Sequence, residues 1–263
     1  TWFEHMDTLG QIDPIWLDRV QTIVDWALDA GLYVILNAHH DQWYEPNTTL
    51  EAYAESMLRS TWLQIATRFA TYDDQLLFES MNEPRLMNTP EEWIAGTPET
   101  RAVVNRLNVS FVQTIRQLGE QNGSRYLLVP TYAASIRSEA LDAVLLPIDD
   151  HIALSVHLYE PYDFALNKSG TADWSANRLS DTLEIQNTMQ NLSRWMVTHA
   201  CPVVITEFGA LDKQNETARA AWVGWIRNMA SQARIPCIWW DNALLDTNQL
   251  TWRYPTLLQA LTW

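Results

Sequence analysis

The chain has 263 residues, 17 basic against 32 acidic, for a formal charge of −15 at pH 7; such an acidic surface repels phosphate backbones and anionic headgroups, so neither nucleic acid nor membrane is an expected partner. With 47% hydrophobic and 19% charged residues, it has the makeup of a folded globule rather than a disordered acidic tail. No apolar run reaches the ~18 residues of a membrane span, no start reads as a signal peptide, and the eight glycines form neither common nucleotide-binding loop nor a serine-hydrolase elbow.

A helix is predicted over 13–30, with Asp13 as N-cap, Pro14 in the first turn and Gly31 as the stop. The first apolar strand, 32–39, leaves through Asn37-Ala38-His39-His40-Asp41-Gln42-Trp43. Neighbouring strand residues face opposite ways, so His39 and His40 are not expected to share a metal, and one of them is expected to line a site. A helix over 50–70 leads to a strand over 76–83, then a helix over 98–120 and strands over 126–131 and 151–159. A helix over 180–198 capped by Ser180, a strand over 203–209, a helix over 215–233 capped by Asn215, a strand over 237–242 and a helix over 254–261 complete the chain. Both faces of such strands are expected to be covered.

Strands alternating with helices describe an α/β fold in which a parallel sheet is wrapped by crossover helices. No repeat or linker divides it, so a single domain over 1–263 is expected. A (β/α)8 TIM barrel needs eight strands in ~250 residues. Six are recognisable here, and the helix-first order places the missing pair at the N-terminus. Cys201 and Cys237 form no metal framework and are expected as two free, buried thiols out of register on neighbouring strands. Six glycosylation sequons occur, at Asn47, Asn108, Asn122, Asn167, Asn191 and Asn215.

The sharpest chemical signal is Leu76-Leu77-Phe78-Glu79-Ser80-Met81-Asn82-Glu83-Pro84, an apolar strand running into Asn-Glu-Pro. Pro84 disfavours helical geometry at the residue before it, which holds Glu83 extended at the exit. Pro202-Val203-Val204-Ile205-Thr206-Glu207-Phe208-Gly209 repeats the pattern. Catalytic groups of α/β barrels sit at the carboxyl ends of strands, so the two glutamates are expected at one mouth, near ~5 Å apart. Two converging carboxyls suit glycosidic cleavage, one as acid and one as nucleophile. His157 and Tyr159 share a side of their strand and are placed to hydrogen-bond a glutamate. Of the 14 tryptophans, Trp2, Trp43, Trp93, Trp174, Trp239, Trp240 and Trp252 fall at strand ends or in loops, where a flat apolar ring with a polar N–H suits a sugar face.

These stretches, together with Ile35 onward through His40-Asp41, His157-Leu158-Tyr159 and Trp239-Trp240-Asp241-Asn242, resemble glycoside hydrolase family 5, the cellulase family, in its own order and over nearly the whole chain. The resemblance implies a retaining endo-β-1,4-glucanase working without metal or organic cofactor. By motif, Glu83 is its acid/base and Glu207 its nucleophile. Asn82 would hold the sugar 2-hydroxyl, His157 and Tyr159 would orient and polarise the pair, and His39 and Trp240 would line the substrate; Trp43 is expected beside them from its position at the strand exit. The expected partner is a β-glucan polysaccharide or oligosaccharide, and secretion is expected because the polymer cannot enter a cell. The His-His-Asp and Trp-Trp-Asp-Asn variants are most similar to the subgroup acting on cellulose, mixed-linkage glucan and xyloglucan. The alternatives are a non-catalytic carbohydrate-binding protein, or a xyloglucanase, lichenase or mannanase of the same fold. Family members carry two more strands before the residues matching Thr1-Trp2, and the second brings an arginine near the nucleophile. A fragment, a second chain completing the barrel, or an unusual closure would each account for the difference.

Overall fold

Local chemistry starts and stops the elements much as expected. In the computed structural model, which describes residues 1–241 and 243–262, the Asp13 carboxylate accepts from Ile15 N–H and Pro14 opens helix α1 (Pro14–Asp29). Gly31 beyond its end has φ +78°, a left-handed geometry that glycine adopts without a steric penalty. Strand β1 (Val34–Asn37), helix α2 (Glu51–Arg68), strand β2 (Leu76–Glu79), helix α3 (Pro98–Arg116), strand β3 (Leu127–Pro130), a short helix α4 (Ser138–Leu141) and strand β4 (Ile152–Leu158) follow. The short helix α5 (Tyr162–Ala165), helix α6 (Leu179–His199), strand β5 (Val203–Phe208), helix α7 (Glu216–Ala233), strand β6 (Cys237–Trp239), a hairpin of β7 (Leu245–Asp246) and β8 (Thr251–Trp252), and helix α8 (Pro255–Thr262) complete the order. The predicted end of the sixth strand at Asn242, and Trp263, lie outside the described residues.

The six longer strands are hydrogen-bonded in chain order, β1 to β6, with parallel pairing wherever the register is defined. The chain divides into two compact units, Thr1–Ser155 and Val156–Trp263, and the boundary falls within β4. In the first unit α2 packs against α3, with Trp62, Phe78 and Phe111 in ring contact at 5.2 and 4.8 Å. In the second, Phe208, Trp222 and Trp239 form the corresponding cluster. Burying each such ring contributes on the order of 2–3 kcal/mol.

Several expectations need correction. Helix α6 starts at Leu179 after Arg178, so Ser180 lies within the first turn and does not cap it. Asn215 does precede α7, but its side chain makes no capping bond; its amide donates to Ala172 O instead. Strands β1 and β6, at the ends of the strand order, are only partly covered, and Ile238 is 44% exposed. Both cysteines are free, but only Cys201 is buried; Cys237, opposite Ile205, is half-buried. Two of the six sequons are closed to any modification of the folded chain. The Asn108 and Asn122 amides are buried and donate to Pro130 O and Ala66 O.

Candidate active site

In the first unit, chemistry gathers where β1 and β2 end. Strand β2 stops at Glu79, four residues before Glu83, and the intervening backbone is fastened on both sides: Ser80 N–H donates to Leu128 O and Asn82 N–H to Ala38 O. Beneath this exit, Trp62 donates its indole N–H to Ser80 O, and the Ser80 hydroxyl donates to Asn108 Oδ1. Asn82 is buried and Glu83 half-buried. Pro84 O accepts from Ala133 N–H, and the Tyr132 hydroxyl accepts from Leu86 N–H, so the Glu83-Pro84-Arg85 segment is held from beyond as well.

Arg85 Nη1 donates to Glu83 O at 3.1 Å and lies 3.4 Å from Glu83 Oε2, while its Nε donates to Glu92 Oε1 at 3.0 Å. Its guanidinium covers the Trp93 ring at 4.2 Å, a favourable cation–π placement. Trp93 is 53% exposed. Trp93 is one of the loop tryptophans, but the arrangement around Arg85 has no local signal in the sequence, because it depends on a turn bringing Glu92 back to it.

Asn37 is the second residue the sequence did not single out. Its Nδ2 donates to Glu79 Oε2 at 3.0 Å, and lies 3.3 Å from His39 Nδ1 and 3.4 Å from Asn82 Oδ1. A glutamate inside an apolar Leu-Leu-Phe-Glu strand was the available signal for Glu79. The expected opposition of His39 and His40 does not apply, because β1 ends at Asn37. His40 takes φ 59°, and the two rings meet edge-on at 4.1 Å. Trp43 is buried, edge-on to Tyr44 at 5.3 Å. Burial, followed by the Asp41 carboxylate, pushes the Tyr44 phenol far above its ordinary range. Asp41 is itself pushed up by burial, against the opposing N–H of Phe3.

In the second unit, β4 carries His157 and the residue after its end is Tyr159. The Tyr159 hydroxyl donates to Glu207 Oε2 at 2.6 Å, and His157 Nδ1 lies 3.5 Å from the same oxygen. The side chains of His157 and Glu207 are 4% and 16% exposed. Glu207 lies in β5 where the pairing with β6 is irregular. Ile205 pairs with Cys237 and Phe208 with Trp239, so two residues, Thr206 and Glu207, stand against Ile238 alone. Such a bulge re-aims a side chain at a strand end.

Trp240 N–H donates to Phe208 O, and the ring meets Tyr159 edge-on at 6.2 Å. Gly209 lies beside this ring; a Cβ built there would stand 3.4 Å from Trp240 Cβ, in van der Waals contact. Of the adjacent tryptophans, Trp239 packs on Phe208 and Trp222, while Trp240 is 37% exposed. Thus the structure brings His157, Tyr159, Glu207 and Trp240 together in one unit. It brings Asn82 and His39 together around Asn37 in the other, where Arg85 holds Glu83.

The family model for Cellulase (glycosyl hydrolase family 5) matches residues 1–244. The cellulase/esterase CelE of Acetivibrio thermocellus is 39% identical over 99% of this chain, which spans 34% of that protein's length. Among solved structures, a GH5-4 broad specificity endoglucanase from Clostridium acetobutylicum aligns with a TM-score of 0.96 at 37% identity, covering 99% of this chain and 83% of that one. A GH5-4 broad specificity endoglucanase from Ruminococcus champanellensis with bound cellotriose aligns with a TM-score of 0.94 at 40% identity, covering 99% and 79%. The fold is that of the (β/α)8 barrel, six strands of which are recognisable in this chain.

Proposed function

The chain belongs to the cellulase family, glycosyl hydrolase family 5, and from that premise we propose that it is a retaining endo-β-1,4-glucanase cleaving β-glucan chains by double displacement. Glu207 attacks the anomeric carbon while Glu83 gives its proton to the departing glycosidic oxygen; Glu83 then takes a proton from water, which attacks the same carbon and releases Glu207. The observation that carries this reading is the Tyr159 hydroxyl on Glu207 Oε2. It pins one carboxylate oxygen and leaves Oε1 for attack. Asn82 and His39 hold hydroxyls of the bound sugar, Trp240 offers its half-exposed ring to a sugar face, and His157 supports the nucleophile. Trp43 shapes the substrate wall from its buried position. The substrate range is β-glucan broadly, in keeping with the broad specificity named for both structural relatives, and the protein acts outside the cell, where the polymer is.

The test is reducing-end release from carboxymethylcellulose, mixed-linkage glucan and xyloglucan. Glu83→Gln and Glu207→Gln each lower turnover by about 10³-fold or more, in line with loss of an acid/base or nucleophile, with the thermal unfolding midpoint retained. Undiminished release by either variant overturns the assignment.

A further inference from the structure

Glu79 is 2% exposed, closes β2 four residues before Glu83, and has no part in the proposed chemistry. We propose that it is a positioning residue: its carboxylate sets the orientation of the Asn37 amide, and through Asn37 both the orientation of the Asn82 amide and the tautomer of His39. This rests on the reading that Asn82 and His39 hold sugar hydroxyls.

A carboxylate offers only acceptors, whereas an amide presents an NH2 on one side and an oxygen on the other. With Glu79 ionised, as the proposal requires, the Asn37 group facing its Oε2 at 3.0 Å is the NH2, joined by a charge-assisted bond. The same nitrogen lies 3.3 Å from His39 Nδ1 and 3.4 Å from Asn82 Oδ1. Its two hydrogens serve three acceptors, one directed at Glu79 and the other shared.

Two consequences follow. His39 Nδ1 faces a donor, so it accepts, and the neutral ring carries its proton on Nε2. Asn82 presents its oxygen inward to Asn37, so its NH2 lies on the opposite branch, available to donate to a sugar hydroxyl. Turning the Asn37 amide over would set its oxygen against the Glu79 carboxylate, demand a proton on His39 Nδ1 and draw the Asn82 NH2 inward. The hydrogen-bonding roles of His39 Nε2 and of the far branch of the Asn82 amide would then both invert. Glutamine at position 79 fills the same space but presents either end, so it does not choose between the two arrangements. The acid, not the shape, makes the choice.

The test is a long-range 15N–1H correlation spectrum of histidine-labelled protein at neutral pH, with the His39 signals identified by their loss in His39→Gln. Wild type shows the Nε2–H tautomer. Glu79→Gln, which keeps the packing, shows a substantial Nδ1–H population. An Nδ1–H tautomer in wild type, or an unchanged Nε2–H tautomer in Glu79→Gln, overturns the proposal, and neither readout needs catalysis, so a failure of the glucanase reading is separately visible.

Kinetics supply a second measurement on an aryl β-cellobioside. Glu79→Gln lowers kcat/KM about tenfold in the wild-type background and less than about twofold beside Asn82→Ala, because groups acting through one another are not additive. Equal effects in both backgrounds overturn the relay through Asn82.

Discussion

Replacing Tyr159 by phenylalanine removes a single oxygen, and the structure sets what that oxygen is worth. It donates to Glu207 Oε2 at 2.6 Å, a short bond to a carboxylate whose side chain is only 16% exposed. Hydrogen bonds to charged groups contribute about 1.5–3 kcal/mol. The neighbouring His157 Nδ1 stands 3.5 Å from the same oxygen, too far to replace the lost bond without moving. If the bond orients the nucleophile in the transition state, its loss at ~1.4 kcal/mol per factor of ten lowers kcat by roughly 10-fold to 150-fold. The ring itself remains to meet Trp240, at 6.2 Å between centroids, so KM changes little. Initial rates on an aryl β-cellobioside, with stability checked by urea unfolding, measure both parameters. A kcat within twofold of wild type in a folded Tyr159→Phe variant refutes the role assigned to this bond.

Two further predictions concern what holds the first unit together. Arg125 is buried and spans the loop before β2, donating to Asp73 O, Leu76 O, Phe69 O and Tyr72 O and to Asn122 Oδ1; burial pushes its guanidinium down to about 10. Arg125→Met leaves those carbonyls without their donor and costs about 4 kcal/mol or more, read as a lower urea midpoint, and a loss under ~1 kcal/mol contradicts it. Arg116 clasps Asp149 through bonds of 2.7 and 2.9 Å and holds its carboxyl below the usual value. A depressed carboxyl stabilises the fold above its unfolded value, near ~3.9, and loses that contribution as pH falls through the folded value. The stability difference between wild type and Asp149→Asn is therefore largest at neutral pH and vanishes in acid; a difference that grows on acidification refutes the pairing.

Much of the fold was legible because strand and helix periodicity are local properties. The six strands and six long helices appear where apolar runs and helical spacing place them. Short elements were not legible: α4 and α5 have four residues each and the β7–β8 hairpin two per strand, too few for a periodic signal. Strand ends were overextended, since Asn-Glu and His-His continue an apolar run in composition while the ladder stops at Glu79 and Asn37.

By itself the sequence determined the alternation of elements, the carboxylates at the ends of two strands, the aromatic pair His157 and Tyr159 two residues apart, and the resemblance those motifs carry. Only the tertiary structure decided that the β5–β6 register shifts at Glu207, that the Tyr159 hydroxyl reaches Glu207, that Arg85 is divided between Glu83 and Glu92, and that Asn37 joins Glu79 to Asn82 and His39. The reason is physical. Propensity and periodicity depend on neighbours along the chain, whereas a hydrogen bond between residues 42 apart, as between Asn37 and Glu79, exists only once strand pairing has set the two side by side.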